Sequence, residues 1–286
     1  MKPTIVYKTY HPVNASRYYG DQLFLKYQLE GLFNEVDNFP EDKRGVVIVI
    51  KGGDNWEYVD KLNADIAKYH WVIILITGIE QGHNFYTKIK HPNMRIWLQT
   101  PRSGDKADWY IPVGYPTYIK PYLPVQLEKI YDVSFAGQNT HERRQQCIKV
   151  LESLPNTFVY PTEGFNQGMK YPEYIKTLAQ SKLVACPGGA MSPDSFRVYE
   201  ALEAGSIPVV DKHSGYSRYE GDFWEKLFPN NPLLKIDNWN KLPTVLDEIL
   251  ANYDNILDLT MQWWAEYKQK FVSKLLEDIY FLENNK

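Results

Sequence analysis

Alternating strand-like and helix-like hydrophobic patterns run through the first third of the chain. Residues 45–50 form a continuous run rich in β-branched side chains, and residues 71–77 repeat it, which is typical of strands buried on both faces. Between them, residues 56–69 place apolar side chains at helical spacing. A further helix is predicted over 22–33, and further strands over 4–7 and 94–99. Strands that alternate with helices predict βαβ units and a parallel sheet.

The same alternation restarts after a proline-rich stretch. Residues 112–125 contain four prolines without periodicity, so this stretch is predicted to be a linker. The later predicted elements are strands over 132–136, 157–160, 183–186 and 207–210, and helices over 142–154, 172–181 and 196–204. From about residue 242 the pattern is helical, and a final helix is predicted near 261–282.

The division of these patterns predicts the domain organisation. Two α/β halves of similar size are typical of two Rossmann-like domains whose parallel sheets face a cleft. We predict the fold class α/β, with an N-terminal domain over residues 1–120, a C-terminal domain over 121–260 and a terminal helix over 261–286.

Composition narrows the classes of function. The chain has 286 residues, of which 44% are hydrophobic, which excludes disorder as the main state. Lys and Arg total 32 against 35 Asp and Glu, so no basic surplus indicates a nucleic-acid or anionic membrane surface. The 22 tyrosines and 8 tryptophans suit stacking on a sugar or base, and they suit ordinary packing equally well.

Cysteine content and hydropathy bear on the compartment. Cys147 and Cys186 are too few for a disulfide framework, and no Cys/His spacing is typical of zinc. The longest apolar run, over residues 71–76, is far shorter than the roughly 20 residues that cross a bilayer. No secretory signal is recognisable at the start. We therefore expect a soluble cytoplasmic protein without a membrane partner.

The segment over residues 181–210 carries the clearest chemical pattern. A predicted strand ends in Gly188 and Gly189, and a loop then leads to a helix whose first turn presents Ser195 and Arg197. A helix N-terminus favours phosphate, and an arginine adds a charged, forked donor. Glu200 follows on the same helix face, where its carboxylate suits the hydroxyls of a ribose. These residue types together predict a site for a nucleoside diphosphate.

Two sequence blocks resemble a known class of enzymes. The run Ser-x-Arg-x-x-Glu-Ala-x-x-x-Gly-x-Ile-Pro-Val at 195–209 resembles the donor-binding half of GT-B glycosyltransferases, most closely the exostosin-like branch. The block over 132–144 is similar to the first strand and phosphate-facing turn of such a domain. Both blocks also resemble the DNA β-glucosyltransferase of T-even bacteriophages. The resemblance covers about residues 131–211, and the N-terminal half matches only in architecture.

The resemblance implies a GT-B fold whose terminal helix crosses back onto the N-terminal domain. It also implies a nucleotide-sugar donor, with a UDP-sugar favoured over a GDP-sugar. No metal and no separate cofactor are expected, since a helix dipole and arginines can offset the diphosphate charge. The residues that it places at the donor are Gly137, Arg143, Arg144, Gly188, Gly189, Ser195, Arg197 and Glu200. For Arg143 and Arg144, a solvated helix face is an equal alternative.

One departure from the family pattern concerns stereochemistry. Many retaining GT-B enzymes carry two glutamates separated by seven residues, and the partner of Glu200 would fall at Ser192. The retaining pattern is therefore missing, which favours inversion. Inversion requires a general base near the carboxyl ends of the N-terminal strands.

Several residues of the N-terminal half qualify as that base. They are His11, Asp21, Asp54, Glu80 and His83. Asp54 and Asp21 are favoured because each follows a glycine, which allows close backbone approach. Both also suit the N-cap of the following helix.

Two kinds of acceptor and one non-enzymatic alternative stay open. The acceptor is either the hydroxyl of a glycan or small molecule, or a hydroxymethylated base in DNA. The near-neutral net charge of -3 speaks against DNA without excluding it. The alternative is a non-catalytic protein whose two lobes bind a nucleotide or sugar.

Overall fold

The computed structural model describes residues 2–8, 22–51, 58–79, 85–101, 104–117, 119–123, 127–164, 167–216 and 222–284. The chain divides into two compact units. The N-terminal unit comprises Met1–Pro116 and Tyr267–Lys286, and the C-terminal unit comprises Thr117–Glu266. Asp21 and Asp54, with His11, Glu80 and His83, lie outside the described residues.

A parallel sheet forms the centre of the N-terminal unit. Its described strands are β1 (Thr4–Lys8), β2 (Asn34–Val36), β3 (Gly45–Lys51), β4 (Trp71–Thr77), β5 (Met94–Gln99) and β6 (Trp109–Ile111), flanked by helices α1 (Leu23–Leu29) and α2 (Val59–Ile66). The spatial order is β2-β1-β3-β4-β5-β6, and every pair is parallel. The apolar interior of β3 and all of β4 are buried, as their β-branched runs predict.

Helix α1 is shorter than the apolar spacing predicts. It ends at Leu29, whereas the pattern predicted a helix to residue 33. Gly31 has a φ of +75°, a left-handed conformation that ends the helix, and β2 follows at once. The short strands β2 and β6 have no sequence pattern of their own, because three residues are too few to show alternation.

A parallel sheet also forms the centre of the C-terminal unit. Its described strands are β7 (Tyr131–Gln138), β8 (Thr157–Thr162), β9 (Ser181–Cys186), β10 (Ile207–Asp211) and β11 (Leu234–Ile236). Its described helices are α3 (Glu142–Glu152), α4 (Tyr171–Ala179), α5 (Phe196–Glu203), α6 (Phe223–Leu227) and α7 (Leu242–Ala251). All strand pairs are parallel, in the order β11-β10-β9-β7-β8. The predicted class, α/β with two parallel sheets, is confirmed.

The strand order of the C-terminal unit defines where a ligand would bind. From β7 the chain moves to β8 on one side and then to β9 on the other side of β7. The connections beyond β7 and β9 therefore run to opposite faces of the sheet and leave a crevice at their carboxyl ends. In open α/β sheets, ligands bind at this switch point.

The last helix, α8 (Tyr253–Asn284), begins in the C-terminal unit, and its residues from Tyr267 belong to the N-terminal unit. There the ring of Phe271 packs edge-on against Trp97 and Phe24, at centroid distances of 5.5 and 5.8 Å. The indole Nε1 of Trp97 donates to Asp278 Oδ2 at 2.9 Å. Among the described residues, no helix is both long enough and apolar enough to cross a membrane.

Candidate functional site

Most of the residues that the sequence predicts for a diphosphate come from the ends of β7 and β9 and the starts of α3 and α5. We call Gly137, Arg144, Gly188, Gly189, Ser195 and Arg197 the β7–β9 site. Gly137 is the second-to-last residue of β7. Gly188 and Gly189 lie in the loop after β9, and Ser195 directly precedes α5. The structure therefore places these predicted residues around the switch point of the sheet.

Arg197 lies across the end of β7 with its side chain almost fully enclosed. It is only 8% exposed, and its Nε donates to the carbonyl oxygen of Ala136 at 3.0 Å. Its guanidinium carbon lies 4.6 Å from the ring centroid of Phe135, which gives a cation–π contact. Within the described ranges, Nη1 of Arg197 has no hydrogen-bond partner. Leaving a buried charged donor without a hydrogen-bond partner is costly, so an anion bound at Nη1 would be strongly stabilised.

Gly137 leaves the space that Arg197 occupies. Its φ is +153°, in the region that favours glycine. A β-carbon at this position would lie 2.0 Å from Nη2 of Arg197. The glycine at the strand end therefore permits the close approach of the guanidinium to the backbone.

Arg144 supplies a second positive charge. Its Nε donates to the carbonyl oxygen of Gly188 at 3.3 Å, and its Nη1 donates to that of Gln138 at 3.1 Å. Burial, and secondarily the positive charge of Arg197, lowers the pKa of Arg144 to about 10. The side chain therefore stays protonated at neutral pH. Two neighbouring guanidinium groups repel each other, and an anion bound to both would relieve that repulsion.

The start of α5 adds further donors. The helix spans eight residues. Like every α-helix, it has backbone N–H groups without intrahelical partners at its N-terminus, where the positive end of the helix dipole also lies. Ser195 occupies the N-cap position, but its hydroxyl makes no side-chain cap. The Ser195 Oγ is buried and has no hydrogen-bond partner in the part of the chain that the structure describes. The Ser195 hydroxyl is therefore a second group of the site that is able to donate a hydrogen bond to an anion.

Gly188 and Gly189 allow close packing of backbone around the site. A β-carbon at Gly188 would lie 2.4 Å from the carbonyl oxygen of His213, and one at Gly189 would lie 3.1 Å from that of Asp194. The carbonyl oxygen of Gly188 accepts hydrogen bonds from both Arg144 and His141. The glycine pair therefore joins three loops at the carboxyl edge of the sheet.

Glu200 faces two tyrosines of α4. Its Oε2 accepts from the hydroxyl of Tyr174 at 2.8 Å, and its Oε1 accepts from that of Tyr171 at 3.1 Å. Burial raises the pKa of Glu200, while the two tyrosine hydrogen bonds and the charge of Arg197 oppose that rise. A carboxylate has further lone pairs, so these contacts leave it able to accept from a ribose hydroxyl. Neither tyrosine is recognisable from the sequence as its partner.

Arg143 forms an ion pair with the last residue of β10. Its Nε donates to Asp211 Oδ2 at 2.8 Å and its Nη2 to Asp211 Oδ1 at 2.5 Å, in a bidentate ion pair. The same Nη2 donates to the carbonyl oxygen of Asp237 at 2.9 Å. These contacts favour a structural role, and a direct contact of Arg143 with a diphosphate stays a prediction.

His141 is a residue of this region that the sequence did not single out. It precedes α3, is 4% exposed, and donates from Nε2 to the carbonyl oxygen of Gly188 at 3.0 Å. Burial, followed by the positive charge of Arg144, lowers the pKa of His141. Its position two residues before Arg143, in the turn after β7, is the sequence signal that would have indicated it.

The two residues predicted to act as the general base lie outside the described residues. Asp21 falls in the undescribed stretch after β1, and Asp54 in that after β3. Their roles remain predictions. In the described ranges, no group of three or more His, Cys, Asp or Glu side chains could hold a metal ion.

The fold and the site identify the class of protein. The chain is similar to a solved α1,3-fucosyltransferase, with a TM-score of 0.50 and 12% identity over 100% of this chain and 91% of that chain. With its two parallel sheets, the fold is that of GT-B glycosyltransferases, and the predicted class is confirmed. Residues 114–281 match the family model described as RXYLT1 C-terminal domain, and the chain belongs to this family.

Two mammalian relatives extend the comparison. The chain is 31% identical to ribitol-5-phosphate xylosyltransferase 1 of Homo sapiens over 87% of this chain and 65% of that protein. It is 30% identical to the protein of the same name from Mus musculus, over 63% of this chain and 46% of that protein. The chain thus spans less than two thirds of the length of these curated relatives.

Proposed function

We propose that the chain is a glycosyltransferase that moves a sugar from a UDP-sugar to an acceptor hydroxyl. The observation that carries the proposal is the buried Nη1 of Arg197, which lacks a partner among the described residues and lies beside the second cation, Arg144. A diphosphate offers several anionic oxygens, so it suits both guanidinium groups at once. The N-terminus of α5 and the hydroxyl of Ser195 supply further donors.

The proposed reaction uses these donors to stabilise the leaving group. The acceptor oxygen forms a bond to the anomeric carbon of the sugar while the bond from that carbon to the diphosphate oxygen breaks. The electron pair of the broken bond stays on the diphosphate, where Arg197, Arg144 and the α5 N-terminus offset the developing charge. The proton of the acceptor hydroxyl passes to a base, for which Asp54 and Asp21 are the predicted residues. A single displacement of this kind inverts the anomeric centre.

The relatives suggest which sugar and acceptor to test first. The human and mouse proteins are named for xylosyl transfer and for ribitol 5-phosphate. We therefore propose UDP-xylose as the donor and a polyol phosphate, or a glycan that carries one, as the acceptor. The xylosyl group and the ribitol phosphate are taken from the names of these relatives, whereas UDP is the nucleotide that the sequence resemblance favours.

The test is release of UDP from UDP-xylose, measured with and without ribitol 5-phosphate. We expect release that depends on the acceptor, and a product heavier by one pentose in mass spectrometry. Arg197→Ala should abolish most of the release. The matched control is Asp132→Asn, which removes the half-buried partner of Lys182 at the opposite end of β7. Binding of a nucleotide sugar without turnover, across a panel of donors and acceptors, would instead support the non-catalytic alternative.

DNA is the second acceptor class that the sequence left open. Replacing ribitol 5-phosphate by duplex DNA with hydroxymethylated bases tests it in the same assay. If DNA is the acceptor, its binding should weaken steeply as salt rises, because released counterions drive such binding. Binding that is absent or insensitive to salt removes this acceptor.

A further inference from the structure

Asp211, the last residue of β10, is the centre of a buried polar network. Its side chain is fully buried and forms the bidentate ion pair with Arg143 at the start of α3. The indole Nε1 of Trp239 also donates to Asp211 Oδ2, at 3.0 Å. Apolar replacement of a buried ion pair is often neutral or stabilising, so stability alone does not explain why this position carries a charge.

The same residue directs the chain that leaves β10. Asp211 Oδ1 accepts the backbone N–H of His213 at 3.0 Å, which turns the chain after the strand. The carbonyl oxygen of Asp211 accepts from Trp224 Nε1 at 2.7 Å, and the N–H of Lys212 donates to the carbonyl oxygen of Ile236 at 2.8 Å. The first residues of the loop over 212–216 are therefore fixed by hydrogen bonds to Asp211 and to Ile236 of β11.

This loop lies against the glycine pair of the β7–β9 site. The N–H of Gly215 donates to the carbonyl oxygen of Gly189 at 2.9 Å, and the N–H of Tyr216 donates to that of Ala190 at 2.7 Å. The close contact between Gly188 and the carbonyl oxygen of His213 leaves no room for a side chain between them. A displacement of the loop would therefore displace the glycine pair as well.

The loop over 212–216 also packs against His141, which is hydrogen-bonded to the same carbonyl oxygen as Arg144. A β-carbon at Gly215 would lie 2.6 Å from the ring of His141, which donates to the carbonyl oxygen of Gly188. That carbonyl oxygen also accepts from Arg144. An unbroken series of contacts thus links Asp211 through the loop over 212–216 and Gly188 to Arg144.

We infer that Asp211, paired with Arg143, is a positioning residue for the β7–β9 site. It holds the loop over 212–216 against Gly188 and Gly189, and so keeps Arg144 in place for the diphosphate. This inference rests on the proposed function for its ligand, but the loop contacts themselves do not depend on that function. Arg143 contributes to donor binding only through Asp211.

The first test follows the loop without any ligand. Asp211→Asn keeps the shape of the side chain and removes the ion pair. We expect the amide hydrogens of Gly215 and Tyr216 to exchange about tenfold faster or more, because loss of a charged hydrogen bond has that effect on local opening. Asp132→Asn, which breaks the Lys182 pair at the other end of the sheet, should leave both amides unchanged. Unchanged exchange in Asp211→Asn overturns the inference.

The second test measures the consequence for the donor. The KM for UDP-xylose should rise about tenfold in Asp211→Asn, with a smaller change in kcat, since the bond-forming groups remain. Arg143→Lys keeps the charge but loses the forked pair, so it should show the same pattern more weakly even if Asp211→Asn folds poorly. A lower melting temperature with unchanged KM in both variants means a purely structural pair and overturns the inference. If the wild-type chain binds no nucleotide sugar, the proposed function fails, and the amide exchange alone decides about Asp211.

Discussion

The guanidinium of Arg197 lies directly over the backbone of Gly137, where a β-carbon would come within 2.0 Å of Nη2. The only side-chain nitrogen of Arg197 with a described backbone partner is Nε, which donates to the neighbouring Ala136. The strand end therefore orients the arginine, and the glycine determines how closely it can approach. This relationship makes Gly137 part of the site although glycine has no functional group.

Gly137→Ala should consequently impair donor binding without removing any charge. The methyl group would push Arg197 out of place, and the positive φ of +153° would add strain of about 1–3 kcal/mol. We expect the Kd for UDP, measured by calorimetry, to rise by about tenfold or more if one charged hydrogen bond is lost. Gly205→Ala is the matched control, because Gly205 also has a positive φ, of +71°, but nothing lies within 4 Å of its missing side chain. Equal losses of affinity in both variants would contradict this role of Gly137.

Arg197→Met should separate ligand binding from stability. Methionine fills similar space but cannot donate, so the Kd for UDP should rise about 10- to 100-fold. In the unliganded chain the change removes the buried Nη1 that has no described partner, but also the hydrogen bond to Ala136 and the contact with Phe135. These effects oppose each other, so the stability of the unliganded variant should change little. Thermal shifts with and without UDP measure both effects.

Lys129→Met provides the contrasting variant for Arg197→Met. Burial lowers the pKa of Lys129 to about 8, and its Nζ donates to Gly205 O and Ser206 Oγ at 2.7 and 2.9 Å. This lysine has its partners within the chain, so its loss should lower the melting temperature and leave the shift caused by UDP intact. If Arg197→Met lowered the melting temperature and left the shift caused by UDP intact, as Lys129→Met should, Arg197 would not bind the diphosphate.

Most of the β7–β9 site could be predicted because its signals are local in sequence. Glycines at a strand end and a serine and arginine at a helix start have direct physical meanings within a few residues. The partners that set their properties come from elsewhere. Tyr174 is 26 residues from Glu200, and Asp211 is 68 residues from Arg143. A single sequence carries no pattern that indicates such distant pairs, so the ion pair of Arg143 with Asp211 could not be predicted.

Among the strands, too, some are predicted by their own residues and others form only because of a neighbouring strand. The strands β3 and β4 follow from their apolar runs, because burial on both faces demands such side chains. The edge strands β2 and β11 carry only three residues each and are partly exposed. They are strands because a neighbouring strand pairs with them, and their own side chains give no periodic signal.

Trp97→Phe tests how the end of α8 is held in the N-terminal unit. It removes the indole donor to the carboxylate of Asp278, and both residues are buried. We expect a loss of about 1–3 kcal/mol in the free energy of unfolding beyond the effect of the smaller ring. Trp71→Phe measures the ring effect alone, since the indole nitrogen of Trp71 is also buried but has no hydrogen-bond partner in the described ranges. Urea denaturation of the two variants should therefore differ, and equal losses would rule out a contribution from the hydrogen bond.

The pH dependence of stability should reveal the buried carboxyl of Glu200. Burial raises its pKa above the ordinary value of 4.5, so the folded state binds this proton more tightly than the unfolded state does. Linkage then requires the contribution of this carboxyl to stability to be greatest below pH 4.5 and to fall as the pH rises through the folded pKa. Glu200→Gln lacks this titration, so the wild-type chain should lose free energy of unfolding relative to the variant as the pH rises from 4 to 7.

Denaturation of both proteins across that range measures the difference. Glu142→Gln, at an exposed position in the first turn of α3, makes the same change in net charge and serves as the control. Tyr174→Phe should enlarge the effect, because it removes a hydrogen bond that holds the pKa of Glu200 down. A wild-type curve that runs parallel to that of Glu200→Gln would show that the carboxyl is ionised at no cost. The tyrosines and Arg197 would then offset the whole effect of burial, and Glu200 would be a preformed anion beside the β7–β9 site.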